Sequence, residues 1–283
     1  MKRFLIIFFL IMLSCKTRQA ETQDIRIISL VPSLTLTCYF LGLDKEIIAI
    51  TEYCKYPEAW RKEKSKISGG LSPNLEVIAS MKPSHVLLSN YQVSLKSKLE
   101  NLGIKTVIIK QMRIEDVFDA IKTLSKITGR TKRGEFLSDS LDIFIKKNSV
   151  INTHRLKVLI VVSREIDSLN NVFVTEYKGF LEELIFLAGG ESIFGDKPHS
   201  SGPLSKEILI NMNPDVIIEL HPDEDISTRK IEVVKNVWKD IPDINAVKKG
   251  NIFILTDSYY GLPSPRIGEI LVDFKNILKE CKE

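Results

Sequence analysis

The sequence predicts an α/β fold of two Rossmann-like lobes with mainly parallel sheets. One long rigid helix joins the lobes and leaves a ligand cleft between them. Three observations carry this. Short, strongly apolar runs alternate with helical segments before residue 131 and again after residue 152. One long amphipathic stretch, Thr131–Val150, separates the two series, with Phe136, Leu137, Leu141, Phe144 and Ile145 forming a stripe on a 3.6-residue period. A chain of 283 residues suits two domains of ordinary size. Twenty helical residues at about 1.5 Å each make a rod of about 30 Å, roughly one small domain across. A helix used once between two such halves is a spine; the bland alternative is a surface helix of one larger domain. Clefts between domains are favoured ligand sites.

The N-terminus is set apart. Lys2 and Arg3 precede Phe4–Leu13, an apolar run too short to span a bilayer, and Ser14 and Cys15 follow. That pattern describes an export signal. MLSC resembles a bacterial lipobox, with cleavage after Ser14 and lipidation of Cys15; the alternative is a plain secretory signal. The boundaries predicted are a signal peptide at 1–14, a lipidated tether at 15–24, a first lobe at 25–130, a spine at 131–152 and a second lobe at 153–283. No second run reaches transmembrane length, so the mature chain is expected outside the cytoplasm, held to the membrane by its lipid.

Composition narrows the class further. Hydrophobic residues at 44% and charged residues at 27% are a globular balance, and the formal charge of +4 includes no long basic run, which argues against a nucleic-acid face. With Cys15 lipidated, Cys38, Cys54 and Cys281 remain. An odd number implies a free thiol or an intermolecular bridge, and whether Cys38 pairs with Cys54 stays open.

In the first half, Arg26–Leu30 reads as a strand. Ser33 follows as the N-cap of a helix closed by Gly42. Glu46–Ile50, Val86–Ser89 and Lys105–Ile109 are further strands. Leu75–Met81 and the stripe Ile114, Val117, Ile121, Leu124 and Ile127 are helices. Ligands of parallel sheets bind beyond the carboxyl ends of the strands, here Val31–Ser33, Thr51–Tyr56 and Ser89–Val93. In the second half, Lys157–Ser163, Val216–Leu220 and Ile252–Thr256 are strands, with Asn171–Thr175 a short strand or turn. Phe180–Ala188, Leu204–Met212 and a final segment from near Pro265 to Lys279 are helices.

These segments carry a resemblance. RIISLVPSLT, IIAITEYCKYPEA and KISGGLSPNLEVIASMKPSHVLLS, followed by FLEELIFLAGGESIF, LSKEILINMNPDVII and PSPRIGEIL, are similar in order to the periplasmic binding proteins for cobalamin and iron complexes. The resemblance covers about Asp24 to Leu278. It implies the substrate-binding component of an ABC importer, a monomer with a membrane permease as partner. No cofactor of its own is implied. The Thr51–Pro57 loop is closest to cobalamin-type members, so the cargo implied is cobalamin or a related corrinoid; a ferric siderophore or haem is the alternative. The family places a ligand contact in that loop, which singles out Tyr53. Its paired glutamates, one per lobe and facing permease arginines, correspond to Glu76 and Glu207.

The residues at strand ends supply the other candidate contacts. Pro32, Ser33, Tyr56, Leu71 and Tyr91 come from the first half, and Arg164, His199, His221, Tyr259 and Tyr260 from the second. Aromatic rings bury area against a flat macrocycle, while a Tyr hydroxyl serves its polar rim. His199 and His221 are candidate imidazole ligands for a bound metal, although a capped or solvated histidine is the commoner role. No GxGxxG, P-loop, HExxH or GxSxG occurs, and no metal site or catalytic residue is predicted. The rivals are a metal chelatase-like enzyme on the same architecture and a ligand-free surface adhesin.

Overall fold

The computed structural model describes residues 24–151, 153–222 and 228–281. The predicted signal peptide, the lipidation site Cys15 and residues 15–23 of the tether lie outside the described residues. No described helix is long and apolar enough to cross a membrane.

The first sheet contains β1 (Ile27–Ser29), β2 (Ile47–Thr51), β3 (Ser65–Ile67), β4 (His85–Ser89) and β5 (Lys105–Ile109) in the order β3-β2-β1-β4-β5. Every pairing is parallel. The helices around it are α1 (Pro32–Phe40), α2 (Glu58–Glu63), α3 (Leu75–Ser80), α4 (Val93–Glu100) and α5 (Ile114–Ile127). β1 is buried throughout and β2 nearly so, as continuous apolar runs require in a sheet covered on both faces. Helix α1 begins two residues earlier than the hydroxyl pattern implied. Val31 is its N-cap and Pro32 holds the first position, where a missing N–H costs nothing. Ser33 is therefore inside the helix, and its hydroxyl donates to Gln111 Oε1.

The spine, α6 (Thr131–Asn148), follows directly. Its buried face is Gly134, Leu141 and Ile145, not the whole predicted stripe: Phe136 is 63% exposed. Phe136 is five residues from Leu141, about 140° around the helix, so both cannot face one core. Gly134 is needed there, because a Cβ would come within 2.5 Å of Ser125 Cβ on α5. The two helices thus touch backbone to side chain.

The second sheet is β10-β9-β6-β7, built from β6 (Lys157–Ser163), β7 (Phe173–Val174), β9 (Val216–Leu220) and β10 (Ile252–Leu255), with β8 (Glu191–Ser192) also on β6. All pairings are parallel except β6 with β7. Its helices are α7 (Phe180–Leu187), α8 (Lys206–Met212), α9 (Thr228–Val237), α10 (Asn245–Lys249) and α11 (Ile267–Glu280). The last helix returns to the spine, where Gly268 lies against the Phe144 ring. One hydrophobic core then runs through both sheets, including Ile27 and Leu34 in the first half, Leu141 and Ile145 on the spine, and Leu184 and Phe274 in the second. Trp60 and Trp238 are buried within their own halves.

Candidate functional site

The carboxyl ends of the first sheet are tied together by one buried amide. Gln92 Nε2 donates to Leu30 O and to Gly70 O, both at 3.3 Å, and its Oε1 accepts from Ser89 N at 3.0 Å. Strands β1 and β4 and the 68–72 loop thereby share one anchor. Glu52 holds the same loop from the other side, accepting from Ser68 Oγ at 2.9 Å and Gly69 N at 3.0 Å. Those donors, Gly69 N–H first, hold its carboxyl below the ordinary carboxylate value. Gly70 has φ +44°, and a Cβ on it would come within 3.1 Å of Tyr53 Cε2. Glycine here lets the Tyr53 ring lie over the loop, where Tyr53 is 57% and Leu71 66% exposed.

The second lobe presents the segment 175–178 after β7. Glu182, buried at the start of α7, holds both of its flanks: it accepts from Lys178 N at 2.9 Å and Thr175 Oγ1 at 3.4 Å, and from Ser192 Oγ at 2.7 Å. Between those flanks, Glu176 meets the first lobe. The Tyr91 hydroxyl is 3.0 Å from each oxygen of the Glu176 carboxylate. Burial, and then this carboxylate, push the Tyr91 phenol above its ordinary value and keep it a donor. The lobes also join at the cleft floor, where Phe180 N donates to Met112 O at 2.6 Å and Ile114 N to Glu183 Oε2 at 2.8 Å.

A cavity of about 310 Å³ lies between these contacts. Tyr91, Gln111 and Met112 line it from the first lobe; Val162, Glu176, Phe180, Leu220 and Gly261 are among those lining it from the second. Its described lining includes no Lys, Arg or His, and its one carboxylate is Glu176. A larger cavity, about 550 Å³, opens beside α7 among Arg113, Arg155, Glu183 and Phe186. Its lining includes the β8 residues Glu191 and Ser192; within it Arg113 pairs with Glu183 at 2.8 Å and the Arg155 guanidinium lies 3.9 Å from the Phe186 ring centre. We take the smaller cavity, lined at the carboxyl ends of β6 and β9 by Val162, Leu220 and Pro222, as the candidate site.

Of the residues singled out in the sequence, Tyr91 lines that cavity and Tyr53 and Leu71 stand exposed on the first lobe's strand-end loops. Others are engaged elsewhere. Arg164 is buried: its Nε lies 2.8 Å from Glu219 Oε1 out of hydrogen-bond alignment, its Nη2 donates to Glu219 Oε2 at 3.2 Å, and its Nη1 donates to three backbone carbonyls. His221 Nε2 is 2.7 Å from the same Glu219, and Trp238 Nε1 donates to it at 2.9 Å. His199 stacks on Phe194 at 3.6 Å, and its ring nitrogens face the carbonyls of Thr175 and Lys197. Tyr259 and Tyr260 are 8% and 6% exposed, with both hydroxyls on Asp273. Tyr56 packs edge-on to Tyr39, with centroids 6.1 Å apart. Pro32 and Ser33 sit at the start of α1. Among the described residues no group of three or more His, Cys, Asp or Glu gathers to hold a metal. The three described cysteines are free thiols. Gln111, Met112 and Glu176 were not anticipated, and Gln92 only as part of the Ser89–Val93 segment; a polar residue within two positions of a predicted strand's end is the signal that marks Gln111 and Glu176.

Two lobes, a helical spine and a site at opposed strand ends are the geometry of a ligand carrier, and the model of the periplasmic binding protein family matches residues 27–259. The chain belongs to the periplasmic binding protein family. That is the resemblance read from the sequence, and it makes this a binding protein rather than an enzyme. Its relatives include the ABC transporter substrate-binding lipoprotein YvrC of Bacillus subtilis, itself uncharacterised, 24% identical over 88% of this chain and 81% of that one. They also include the high-affinity heme uptake system protein IsdE of Staphylococcus aureus, 25% identical over 91% of this chain and 89% of that one. Among solved structures, the periplasmic vitamin B12 binding protein BtuF of Vibrio cholerae superposes with a TM-score of 0.71 at 21% identity, covering 90% of this chain and 98% of that one, and shows the shared fold.

Proposed function

We propose that this protein is the substrate-binding component of an ABC importer and that its cargo is a corrinoid. The observation that supports the cargo is the charge of the site. Arg164, the one cationic candidate in the sequence, is committed to Glu219, and the described cavity lining contains a carboxylate and no cation. Anionic siderophores need cationic partners. A corrinoid instead offers apolar ring faces and neutral amide edges, which suit Met112, Phe180, Leu220, Gln111 and Glu176. The exposed Tyr53 ring adds a wall at the lip. A cavity of about 310 Å³ is at the low end for small-molecule sites, so a macrocycle needs the Tyr91–Glu176 contact to part.

Haem is the second reading. It is favoured by one local feature: a thioether, Met112, and a phenol, Tyr91, share one wall, and both are iron ligand types.

Titration calorimetry with cyanocobalamin, haem and a ferric siderophore tests the assignment. The expected result is one-to-one corrinoid binding, weakened about tenfold by Tyr53→Ala, as loss of about 1.4 kcal/mol of ring contact implies. Haem binding without corrinoid binding would transfer the assignment to the second reading. Silence with all three would end both.

We further propose lobes at 25–130 and 153–283 about the 131–152 spine, a lipid anchor on Cys15, monomeric action outside the cytoplasm, and permease docking through Glu76 and Glu207. Both glutamates are exposed in the first turn of a short helix, capped by Asn74 in one lobe and Ser205 in the other. Each is followed by an exposed branched residue, Val77 or Ile208. A carboxylate beside an apolar contact in each lobe suits a two-subunit partner.

A further inference from the structure

The Glu176 carboxylate is placed as ligand-facing groups are, although its only partner among the described side chains is Tyr91. It projects from a segment whose two flanks are fixed by Glu182, so its position is set before any ligand arrives. One phenolic proton is shared between its two oxygens, at 3.0 Å each. A carboxylate has about four acceptor directions, so most of its capacity is unused. No described Lys, Arg or His forms an ion pair with it, and none lines the cavity. A half-buried, uncompensated negative charge has two consequences for whatever enters: it accepts N–H donors, and it repels carboxylates.

We propose that Glu176 is the specificity-determining residue of the cleft, admitting chelates whose edges carry amides and rejecting chelates whose edges carry carboxylates. In the empty protein Tyr91 caps the carboxylate from the opposite lobe. An amide-edged ligand takes over as donor, and the Tyr91 hydroxyl is released. Glu182 is the positioning residue beneath. This rests on the corrinoid reading of the site.

Two probes with one ring separate the charge effect from recognition of the macrocycle: dicyanocobinamide, with amide side chains, and dicyanocobyrinic acid, with carboxylates in their place. Calorimetric titration of the full mature protein is expected to show the amide form binding at least tenfold more tightly than the acid, with the gap shrinking as salt is raised. Glu176→Gln removes the charge and keeps the shape. It should narrow the gap by about tenfold, chiefly by improving binding of the acid. Tyr91→Phe removes the cap but keeps the charge, and should leave the gap as wide as in the wild type. Circular dichroism checks that both variants fold. An unchanged gap in Glu176→Gln, or equal narrowing in the two variants, overturns the proposal while the corrinoid reading stands. Failure of the wild-type protein to bind either ring overturns both.

Discussion

Tyr56 and Arg266 meet across the two lobes. The Arg266 guanidinium lies 5.0 Å from the Tyr56 ring centre and 3.6 Å from that of Tyr259. Glu269 orients it, accepting from Nε at 3.0 Å, and Trp60 and Tyr39 brace the far side with centroids 5.5 Å apart. A cation between two rings from different lobes closes the side of the molecule where α11 returns to the spine. With the continuous core below it, this favours small movements over wide hinge opening.

Arg266→Met should therefore cost about 1–2 kcal/mol, the range of a partly desolvated cation–π contact, and lower the urea midpoint. An unchanged midpoint would show that the lobes are held together without the stack.

Arg164→Met should act on stability and not on recognition. It strands the Glu219 carboxylate, leaving His221 and Trp238 as its partners, and breaking a buried pair from one side costs about 3–5 kcal/mol. Ligand affinity of the protein that remains folded should match wild type. A selective loss of affinity with normal stability would return Arg164 to the ligand site.

Acid should loosen the Tyr53 cradle. Glu52 is depressed below the ordinary value near 4.5 by Gly69 and Ser68. Its contribution is thus present above the unfolded value and lost as pH falls through the lower folded one. The Gly69 amide resonance of the wild type should titrate below 4.5, and Glu52→Gln should abolish that step. Titration at or above the ordinary value contradicts the contact.

The double variant Glu76→Ala with Glu207→Ala should impair uptake in cells while leaving ligand affinity intact. Both side chains are exposed and neither lines the cavity, so their loss is expected to touch a partner and not the cargo. Exposed ion pairs add little to stability, and the unfolding midpoint should stay close to that of the wild type. Reduced affinity in the purified variant would merge the docking and capture roles.

Much of the architecture is legible because it depends on local pattern. Apolar runs such as Lys157–Ser163 and Val216–Leu220 have the length and composition of buried strands, and they are strands. Asn74 and Ser205 cap the helices they precede because a short polar side chain reaches the free N–H groups of the first turn. The family motifs locate the strand ends, and with them Tyr53 and Tyr91.

What only the tertiary structure decided is which polar side chains the strand ends spend on each other. Arg164 and Glu219 are 55 residues apart, and become partners because β6 pairs with β9 in a register that sets Val161 beside Glu219. Tyr259 and Tyr260 turn inward because α11 brings Asp273 beneath them. Glu176 faces the opposite lobe because β7 runs antiparallel to its sheet and Glu182 fixes the turn that follows. Sequence by itself determined the principal strands and helices and the two-lobed class, and pointed to the strand-end edge as the candidate site, since hydrophobic period and capping act over a few residues. The sign of charge at that edge required the packed structure, because it depends on which charges find partners across long separations in the chain.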